Sequence, residues 1–398
     1  MRIAIQLQSW DESVGGIGIY TQELIRALLR VDSKNEYVLI YPAFGAARKC
    51  RGQFSHHNNV IEIEAELSRL PLEHYCSRLY PRAPDVFDKL RAMLPVETYW
   101  DQVVVPRVAK QYGVDVLFNP QLTIPIRGRF GRVTVMHAVE YHTVPDVYTL
   151  RMYAWWFLLE KCILPAADRL ISLSNTMTEA LREHVKYPIS QVRTIYHGVS
   201  DKFRVETDND RLARARRAYD LAQPFILFVG HLYPEKNFSV LAHAFARLKN
   251  EIPHRLVIAG QPRYKFKGDV NVLRQLEIED RVDFLDYVPN DELPLIYNLA
   301  DCFVNPSLYE GFGLAQVEAM ACGCPVIAAN TGAIPEITGG AAILFDPHSP
   351  QELSRAILKV TCEPGVRREL VDQGLMRARE FTWDRAARAT LDVFKELA

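Results

Sequence analysis

The chain has 398 residues, more than the ~100–200 residues of a typical domain, so its length predicts two domains. Its 47 lysine and arginine residues balance 48 aspartate and glutamate residues, which argues against nucleic acid as a partner. The seven cysteines have no metal-ligand spacing, which predicts a reduced, cytoplasmic protein. No apolar run has the length of a signal peptide or the ~20 residues that span a bilayer, so any membrane contact is predicted to be peripheral, at the inner face of the membrane.

The first half of the chain is predicted to form an α/β unit. Apolar and alternating runs predict a helix at 20–30 and strands at 3–7, 37–41, 114–119, 133–137 and 169–174. Residues 68–106 are rich in proline, arginine and aromatic side chains without a clear period, and we interpret them as an elaboration of this unit. The segment Tyr196-His197-Gly198-Val199 ends the unit, and residues 200–223 form the predicted hinge.

The second half repeats the alternation of strand and helix more regularly. Its predicted strands are 225–229, 255–259, 282–284, 302–305 and 325–328. The sequence therefore predicts an α/β protein with two doubly wound domains, followed by an amphipathic helix with one face formed by Trp383, Ala387, Leu391 and Phe394. Ligands of such sheets bind beyond the carboxyl ends of the strands, so two facing domains predict one cleft between them.

The segment from Tyr309 to Glu318 carries the clearest chemical pattern. Gly311 and Gly313 permit a tight turn, and the residues after them are strong helix formers. The amides at a helix N-terminus favour anions, so the turn suits a diphosphate. Glu310 lies before the helix and Glu318 inside it, so the two carboxylates can reach different hydroxyl groups of one elongated ligand. The alternative is that both are ordinary solvated acids.

Together with the following Ala-Met-Ala-Cys-Gly-Cys-Pro-Val-Ile-Ala, this segment resembles the retaining glycosyltransferases of family four, which have the GT-B fold of two Rossmann-like domains facing a cleft. The resemblance spans nearly the whole chain. It implies that Glu310 contacts the donor sugar, that Glu318 contacts the ribose, and that the sugar and phosphates meet the amides of Gly311, Phe312, Gly313 and Leu314. It also implies an acceptor-binding domain at 1–198, a donor-binding domain at 199–380 and a last helix, 381–398, that packs back on the first domain.

Two basic side chains are predicted in the loop after residues 225–229. Lys236 could neutralise a leaving phosphate, although an isolated lysine in a loop is more often a solvated surface residue. The resembled family has an arginine at the position of His231, and a neutral imidazole is a weaker phosphate ligand than a guanidinium. Either His231 donates a hydrogen bond to the phosphate, or another basic residue such as Arg263 takes part.

A histidine, His137, ends the predicted strand at 133–137. It is either a core histidine bonded to a backbone carbonyl or, as the resemblance implies, a neighbour of the donor sugar. Ala138 stands where the family usually has an aspartate, so no role is assigned to that position. His142 and Pro145 in the same loop are weaker candidates.

Three further loops follow predicted strands. Gly15 and Gly16 lack the dinucleotide-binding fingerprint and could be a structural turn, whereas the resemblance implies that they close over the donor diphosphate. Gly260 resembles the nucleotide-side turn of the family, and Val288 lies in the segment whose backbone reads the base. Neither residue identifies the base.

Two other features have competing interpretations. The acidic triplet Asp208-Asn209-Asp210 is superficially similar to a metal-binding motif, but it precedes a basic helical run, so Asp208 is predicted to be an N-cap. We therefore expect a site that needs no metal and no other cofactor. Trp155 and Trp156 are predicted to pack in the core, with an acceptor site or a membrane-facing patch as the alternative.

The catalytic residues predicted from these patterns are His137, Lys236 and Glu310. The expected reaction moves a sugar, mannose in first place, from GDP-mannose or a UDP-sugar to a hydroxyl of a saccharide or lipid-linked saccharide. Retention of configuration is implied by the resemblance alone, and the expected context is polysaccharide, lipopolysaccharide or glycolipid biosynthesis. The alternatives are a nucleotide-sugar epimerase or phosphorylase of the same fold and a non-catalytic nucleotide-sugar-binding subunit. Linkage and oligomeric state stay open.

Overall fold

The computed structural model describes residues 1–8, 15–43, 47, 50–66, 96–137, 139–145, 149–260 and 267–398. Ala138, Arg263 and most of the predicted elaboration at 68–106 lie outside the described residues. Within the described ranges the chain forms two parallel sheets of seven and six strands.

The first sheet has the strand order β3-β2-β1-β4-β5-β6-β7, and every recorded pairing in it is parallel. Its strands are β1 (Arg2–Gln6), β2 (Glu36–Pro42), β3 (Val60–Ala65), β4 (Val116–Asn119), β5 (Gly131–Met136), β6 (Arg169–Ser172) and β7 (Val192–Thr194). The helices of this half are α1 (Gly15–Val31), α2 (Val105–Gln111), α3 (Leu150–Leu158) and α4 (Asn175–Ala180). Helical turns at Val96–Tyr99 and Trp100–Val104 lead directly into α2.

The second sheet has the order β10-β9-β8-β11-β12-β13. Its strands are β8 (Phe225–Val229), β9 (Arg255–Ala259), β10 (Val282–Asp286), β11 (Cys302–Asn305), β12 (Val326–Ala329) and β13 (Ala342–Phe345). Its helices are α5 (Asn209–Ala218), α6 (Phe238–Leu248), α7 (Lys267–Gln275), α8 (Leu293–Leu299), α9 (Leu314–Ala321), α10 (Ile334–Thr338), α11 (Pro350–Cys362) and α12 (Pro364–Ala378). The two doubly wound α/β domains predicted from the sequence are confirmed.

The strand order reverses once in each sheet, between β1 and β4 in the first and between β8 and β11 in the second. Open parallel sheets bind ligands at this reversal, beyond the carboxyl ends of the strands, because the connections there diverge to opposite faces. The central strands are continuous apolar runs because both faces of each sheet are buried. The fold thus brings the loops after β8 and β11 to the same place.

Two local predictions need correction. Gly15 and Gly16 were expected in a turn before a helix at 20–30, but α1 begins at Gly15 itself, so both residues belong to its first turn. The prediction also missed β3, in which Glu62 and Glu64 alternate with apolar residues, the three-residue β7, and β13 of the second sheet. All three are outermost strands, where one side of the strand lacks a neighbour.

The last helix, α13 (Trp383–Lys395), packs on α1 and β5 of the first sheet. The side chain of Thr382 caps it by accepting a hydrogen bond from the amide of Arg385. The apolar period predicted for this helix is confirmed, since its predicted face is buried, namely Trp383, Ala387, Leu391 and Phe394. The last strand of the first sheet ends at Thr194, and the first strand of the second sheet begins at Phe225. The domain boundary between residues 198 and 199 stays a prediction.

We predict that Phe394→Ala destabilises the protein by about 3–5 kcal/mol, because it empties a fully buried site in the core. Phe394 is 0% exposed, and its ring lies 5.4 Å from the ring of Phe118. Urea unfolding followed by tryptophan fluorescence measures the change. The control is Lys395→Ala on the exposed side of the same helix, for which we expect a change within about 0.5 kcal/mol. Equal effects of the two substitutions would contradict the packing.

Candidate active site

The loops beyond the carboxyl ends of the two sheets enclose a cleft with a volume of about 560 Å³. It is lined by every predicted site residue except Gly15. These are Gly16, His137, His231, Lys236, Gly260, Val288, Glu310, Gly311, Phe312, Gly313, Leu314 and Glu318. Residues separated by up to about three hundred positions in the sequence therefore face one space.

An ion pair between Lys236 and Glu310 lies at the centre of the cleft. Lys236 Nζ donates to Glu310 Oε1 over 2.7 Å, and the same oxygen accepts from Ser307 Oγ at 2.8 Å and Asn305 Nδ2 at 3.2 Å. Asn305 is the last residue of β11, and Lys236 ends a single 3₁₀ turn after β8. Lys236 and Glu310 thus follow β8 and β11, the two neighbouring strands at which the strand order reverses.

Lys236 and Glu310 each stabilise the charged form of the other. Burial opposes the ionised form of Glu310, but Lys236, Ser307 and Asn305 outweigh it, so the pKa of the carboxyl lies below its usual range. Burial likewise opposes the charge of Lys236, but Glu310 and Glu235 outweigh it, so the pKa of the ammonium lies above its usual value. A half-buried lysine that keeps its charge can offset the negative charge of a phosphate.

The turn between Glu310 and α9 combines a close domain contact with free helix amides. A methyl group on Gly311 would lie 2.2 Å from Met177 Cε and 2.9 Å from the carbonyl oxygen of His137, so only glycine permits this approach of the two domains. Gly313 is the N-cap of α9, with φ of 89° and no capping side chain, so the first amides of the helix face the cleft. An anion fits there.

His137 presents one ring nitrogen to the cleft. Its Nε2 lies 2.6 Å from the carbonyl oxygen of Pro120, which can only accept, so we assign the ring proton to Nε2 and leave Nδ1 as an acceptor. Burial lowers the pKa of His137 to about 4, although the bond to Pro120 opposes the shift. The histidine bonds a carbonyl, as a core histidine was predicted to, and it also lines the cleft. Its contact with a donor sugar stays a prediction.

The other end of the cleft is formed by residues predicted to meet the nucleotide. A methyl group on Gly260 would lie 2.0 Å from the carbonyl oxygen of Gly230, so the loops after β8 and β9 touch through glycine backbones. The amide nitrogen of His231 lies 3.3 Å from the same methyl position, and Val288 also lines the cleft. Glu318 Oε2 accepts from Tyr297 Oη at 3.4 Å, and burial raises the pKa of Glu318 to about 7, although Tyr297 and Lys202 oppose the shift.

The sequence analysis missed several polar residues that line the cleft, and Glu140, His197 and Gln316 stand out among them. Both ring nitrogens of His197, both amide atoms of Gln316 and Oε2 of Glu140 are buried without a hydrogen-bond partner among the described residues. Such groups are costly unless a ligand satisfies them. Gln316 occupies the third position of α9, where a glutamine often bonds the N-cap, which is the one sequence signal that could have identified it.

The remaining candidates lie away from the cleft or have structural partners. Asp208 caps α5 by accepting from the amides of Asp210 and Arg211, so the predicted N-cap is confirmed. His142 contacts Glu160, and Pro145 is exposed. Trp156 stacks on Tyr141 with the ring planes 6° apart, whereas Trp155 is 37% exposed, so the core prediction is correct for Trp156 alone.

No helix in the described ranges is both long and apolar enough to cross a bilayer. The largest exposed apolar side chains of the first domain concentrate on α3, where Tyr153, Trp155, Phe157 and Leu158 are each more than a third exposed. Lys161 Nζ lies 5.8 Å from the ring centroid of Phe157. This apolar and basic face has the amphipathic character of an interfacial surface.

Two family models together match most of the chain. Residues 14–203 match the family model described as Glycosyltransferase Family 4, and residues 210–375 match the model described as Glycosyl transferases group 1. O-antigen chain mannosyltransferase B of Escherichia coli is 25% identical over 406 residues, which cover 100% of both chains. The serotype-specific mannosyltransferase WbdA of Escherichia coli is 29% identical over 236 residues, which cover 58% of this chain and 29% of that protein.

Solved structures share the same architecture. HepE of Anabaena, in complex with UDP and glucose, matches with a TM-score of 0.73 and 20% identity, and the match covers 100% of both chains. A sucrose-phosphate synthase from Thermosynechococcus elongatus matches with a TM-score of 0.72 and 22% identity over 100% of this chain and 98% of that chain. At these identities the likeness concerns the fold alone.

The neutral state of His137 predicts a specific loss of stability in acid. Its pKa of about 4 lies below the unfolded value of about 6.5, so the unfolded state binds the proton first as the pH falls. Between pH 7.5 and pH 4.5 the wild type should therefore lose about 2.5 kcal/mol more than His137→Asn. Urea unfolding at pH 7.5 and pH 4.5 measures this, and the difference at pH 7.5 gives the cost of the substitution itself. Parallel losses in both proteins would contradict the assignment.

Proposed function

The chain belongs to glycosyltransferase family four, with the GT-B fold, and we propose that it moves a mannosyl unit from GDP-mannose to a hydroxyl of a saccharide or lipid-linked saccharide. The observation that carries the proposal is the Lys236–Glu310 pair in front of the uncapped N-terminus of α9. It provides a cation and amides for a diphosphate and a carboxylate for sugar hydroxyls. The full-length similarity to an O-antigen chain mannosyltransferase supports mannose, and a UDP-sugar is the second candidate donor.

The proposed reaction proceeds with retention at the anomeric carbon. The bond from that carbon to the phosphate oxygen breaks, the bond to the acceptor oxygen forms on the same face, and the proton of the acceptor hydroxyl passes to the departing phosphate. Lys236 and the first amides of α9 stabilise the negative charge that develops on the diphosphate. We propose that this set of groups replaces a divalent metal.

Within the same proposal, the remaining residues orient the donor. Glu310 Oε1 accepts all the recorded hydrogen bonds of that carboxylate, so Oε2 is the oxygen proposed to accept from a sugar hydroxyl. His137 Nδ1 accepts from a second sugar hydroxyl, and Glu318 accepts from the ribose. The relatives described above are named as transferases, so an epimerase, a phosphorylase or a non-catalytic subunit is not favoured.

We expect Lys236→Gln and Glu310→Gln each to lower the rate of mannosyl transfer from GDP-mannose at least a hundredfold, because each removes a preorganised group worth about 3–4 kcal/mol to the transition state. Radiolabelled donor incubated with mannose-containing acceptors measures the rate. Matched controls come from the surface pair Lys249 and Glu277, whose Nζ and Oε2 lie 3.3 Å apart. Lys249→Gln and Glu277→Gln should transfer at the wild-type rate.

Binding of the donor is tested separately by thermal shift. GDP-mannose, UDP-glucose, UDP-N-acetylglucosamine and the free diphosphates are compared, because a ligand that binds only the folded state raises the melting temperature. The largest shift should come from GDP-mannose. A shift with UDP-sugars alone would replace the proposed donor, and no shift with any of them would refute the proposed function.

We further propose that α3 meets a lipid surface that carries the acceptor, at the inner face of the membrane. The double variant Trp155→Ser, Phe157→Ser should bind vesicles containing anionic phosphatidylglycerol at least about tenfold more weakly, because losing ~1.4 kcal/mol of apolar burial already changes a binding constant tenfold. Co-sedimentation measures the bound fraction. Ile189→Ser, at an exposed position of the first domain outside α3, is the control and should bind as the wild type does. Equal binding of all three proteins would reject this surface.

A further inference from the structure

Glu140 enters the cleft from the first domain, at the start of a single helical turn, Glu140–Thr143, that follows β5. The turn is fixed from behind, because Tyr141 Oη donates to Glu160 Oε2 at 3.0 Å and His142 Nε2 lies 2.7 Å from the same oxygen. Glu160 is buried and belongs to the helical segment directly after α3. With its two successors held by Glu160, the side chain of Glu140 is directed to the opposite side, into the cleft.

One of the two oxygens of the Glu140 carboxyl group lacks a hydrogen-bond partner among the described residues. That oxygen is the buried Oε2. It is close enough to the Lys236–Glu310 pair and to Glu235 to interact with all three charges, but Lys236 already bonds Glu310. A buried carboxylate oxygen without a partner is unfavourable, whereas the neutral acid can donate a hydrogen bond.

The protonation state of Glu140 follows from its burial and from the charges around it. Burial raises the pKa of Glu140 to about 7, and the charges of Glu310 and Glu235 act in the same direction, while its own backbone and Lys236 oppose the shift. An anionic diphosphate placed beside Lys236 adds negative charge to the same space. The neutral acid therefore becomes more favourable when such a ligand is bound.

We propose that Glu140 is a donor-binding residue that holds the sugar diphosphate as the neutral carboxylic acid, donating a hydrogen bond to it from Oε2. The inference rests on the proposed function, since it requires a nucleoside diphosphate or its sugar ester in the cleft. It assigns to the first domain a direct contact with the ligand that the second domain binds. It also explains why a buried carboxyl group is tolerated next to Glu310.

The proposal makes binding of the ligand depend on pH with a defined sign. Because the free protein loses the Glu140 proton near pH 7 and the complex retains it, binding takes up as much as one proton above that pH. The affinity should then fall with rising pH by as much as about tenfold per pH unit. The titratable groups that face Glu140 or share its cleft, among the described residues, are Tyr141, Tyr309, Glu235, Lys236, Glu310, Glu318, His137, His197, His231, Tyr233, Asp286 and Tyr287.

The experiment is calorimetric titration of the full-length protein with GDP, UDP and GDP-mannose at pH 6.5, 7.5 and 8.5, in two buffers with different ionisation enthalpies. Glu140→Gln carries a permanent hydrogen-bond donor in place of the acid. We expect it to bind at pH 8.5 at least fivefold more tightly than the wild type and to take up about one proton fewer. Glu140→Ala should bind weakly at every pH.

The matched variant is Glu235→Gln, which changes a second acid of the same cleft whose pKa is also raised by burial. It should keep the proton uptake of the wild type. If Glu235→Gln removes the uptake instead, or if Glu140→Gln retains it, the assignment to Glu140 is wrong while the proposed function stands. If the wild type binds none of the three nucleotides, the proposed function fails and this inference fails with it.

Discussion

The carboxylate of Glu336 holds the two domains against each other. Glu336 lies in α10 of the second domain and accepts hydrogen bonds from the amides of Asn175 and Thr176, each at 2.8 Å, and from the hydroxyl groups of Thr176 and Tyr196 at 2.6 and 2.7 Å. The two amides begin α4, where a helix has no internal partners for them. Burial opposes the charge of Glu336, but these bonds outweigh it and hold the pKa of Glu336 below its usual range. Ser174 Oγ, which donates to the carbonyl oxygen of Gly311 at 2.8 Å, fixes the loop of Glu310 against the same helix start.

The balance of charge inside the cleft follows from this arrangement. Among the described lining residues, Lys236 is the only lysine or arginine, and it faces the acids Glu140, Glu235 and Glu310. A site with this charge binds a diphosphate only if some of its acids are neutral or paired. Glu310 is paired with Lys236, and burial favours the neutral form of Glu140 and Glu318 near pH 7. The amides of α9 then add a favourable interaction that needs no further side-chain charge.

Particular residues show how far sequence reasoning reached. The apolar strands, the cap at Asp208, the uncapped start of α9 and the buried face of α13 were all predictable, because each depends on neighbours within a few positions. The start of α1 at Gly15 was not, because glycine is a weak helix former. Trp155 and Trp156 are adjacent and chemically identical, and only the tertiary structure places Trp156 against Tyr141 and the core while Trp155 stays exposed.

The sequence by itself determined the two α/β domains and twelve of the residues that line the cleft, because strand periodicity and glycine-rich turns are local properties of the chain. Tertiary structure alone decided that Lys236 bonds Glu310, that the Nε2 proton of His137 is held by Pro120, and that Glu140 and His197 face the same space. Their protonation states depend on burial and on charges that are brought near by folding. The spacing of residues along the chain indicates neither their burial nor the charges that folding places beside them.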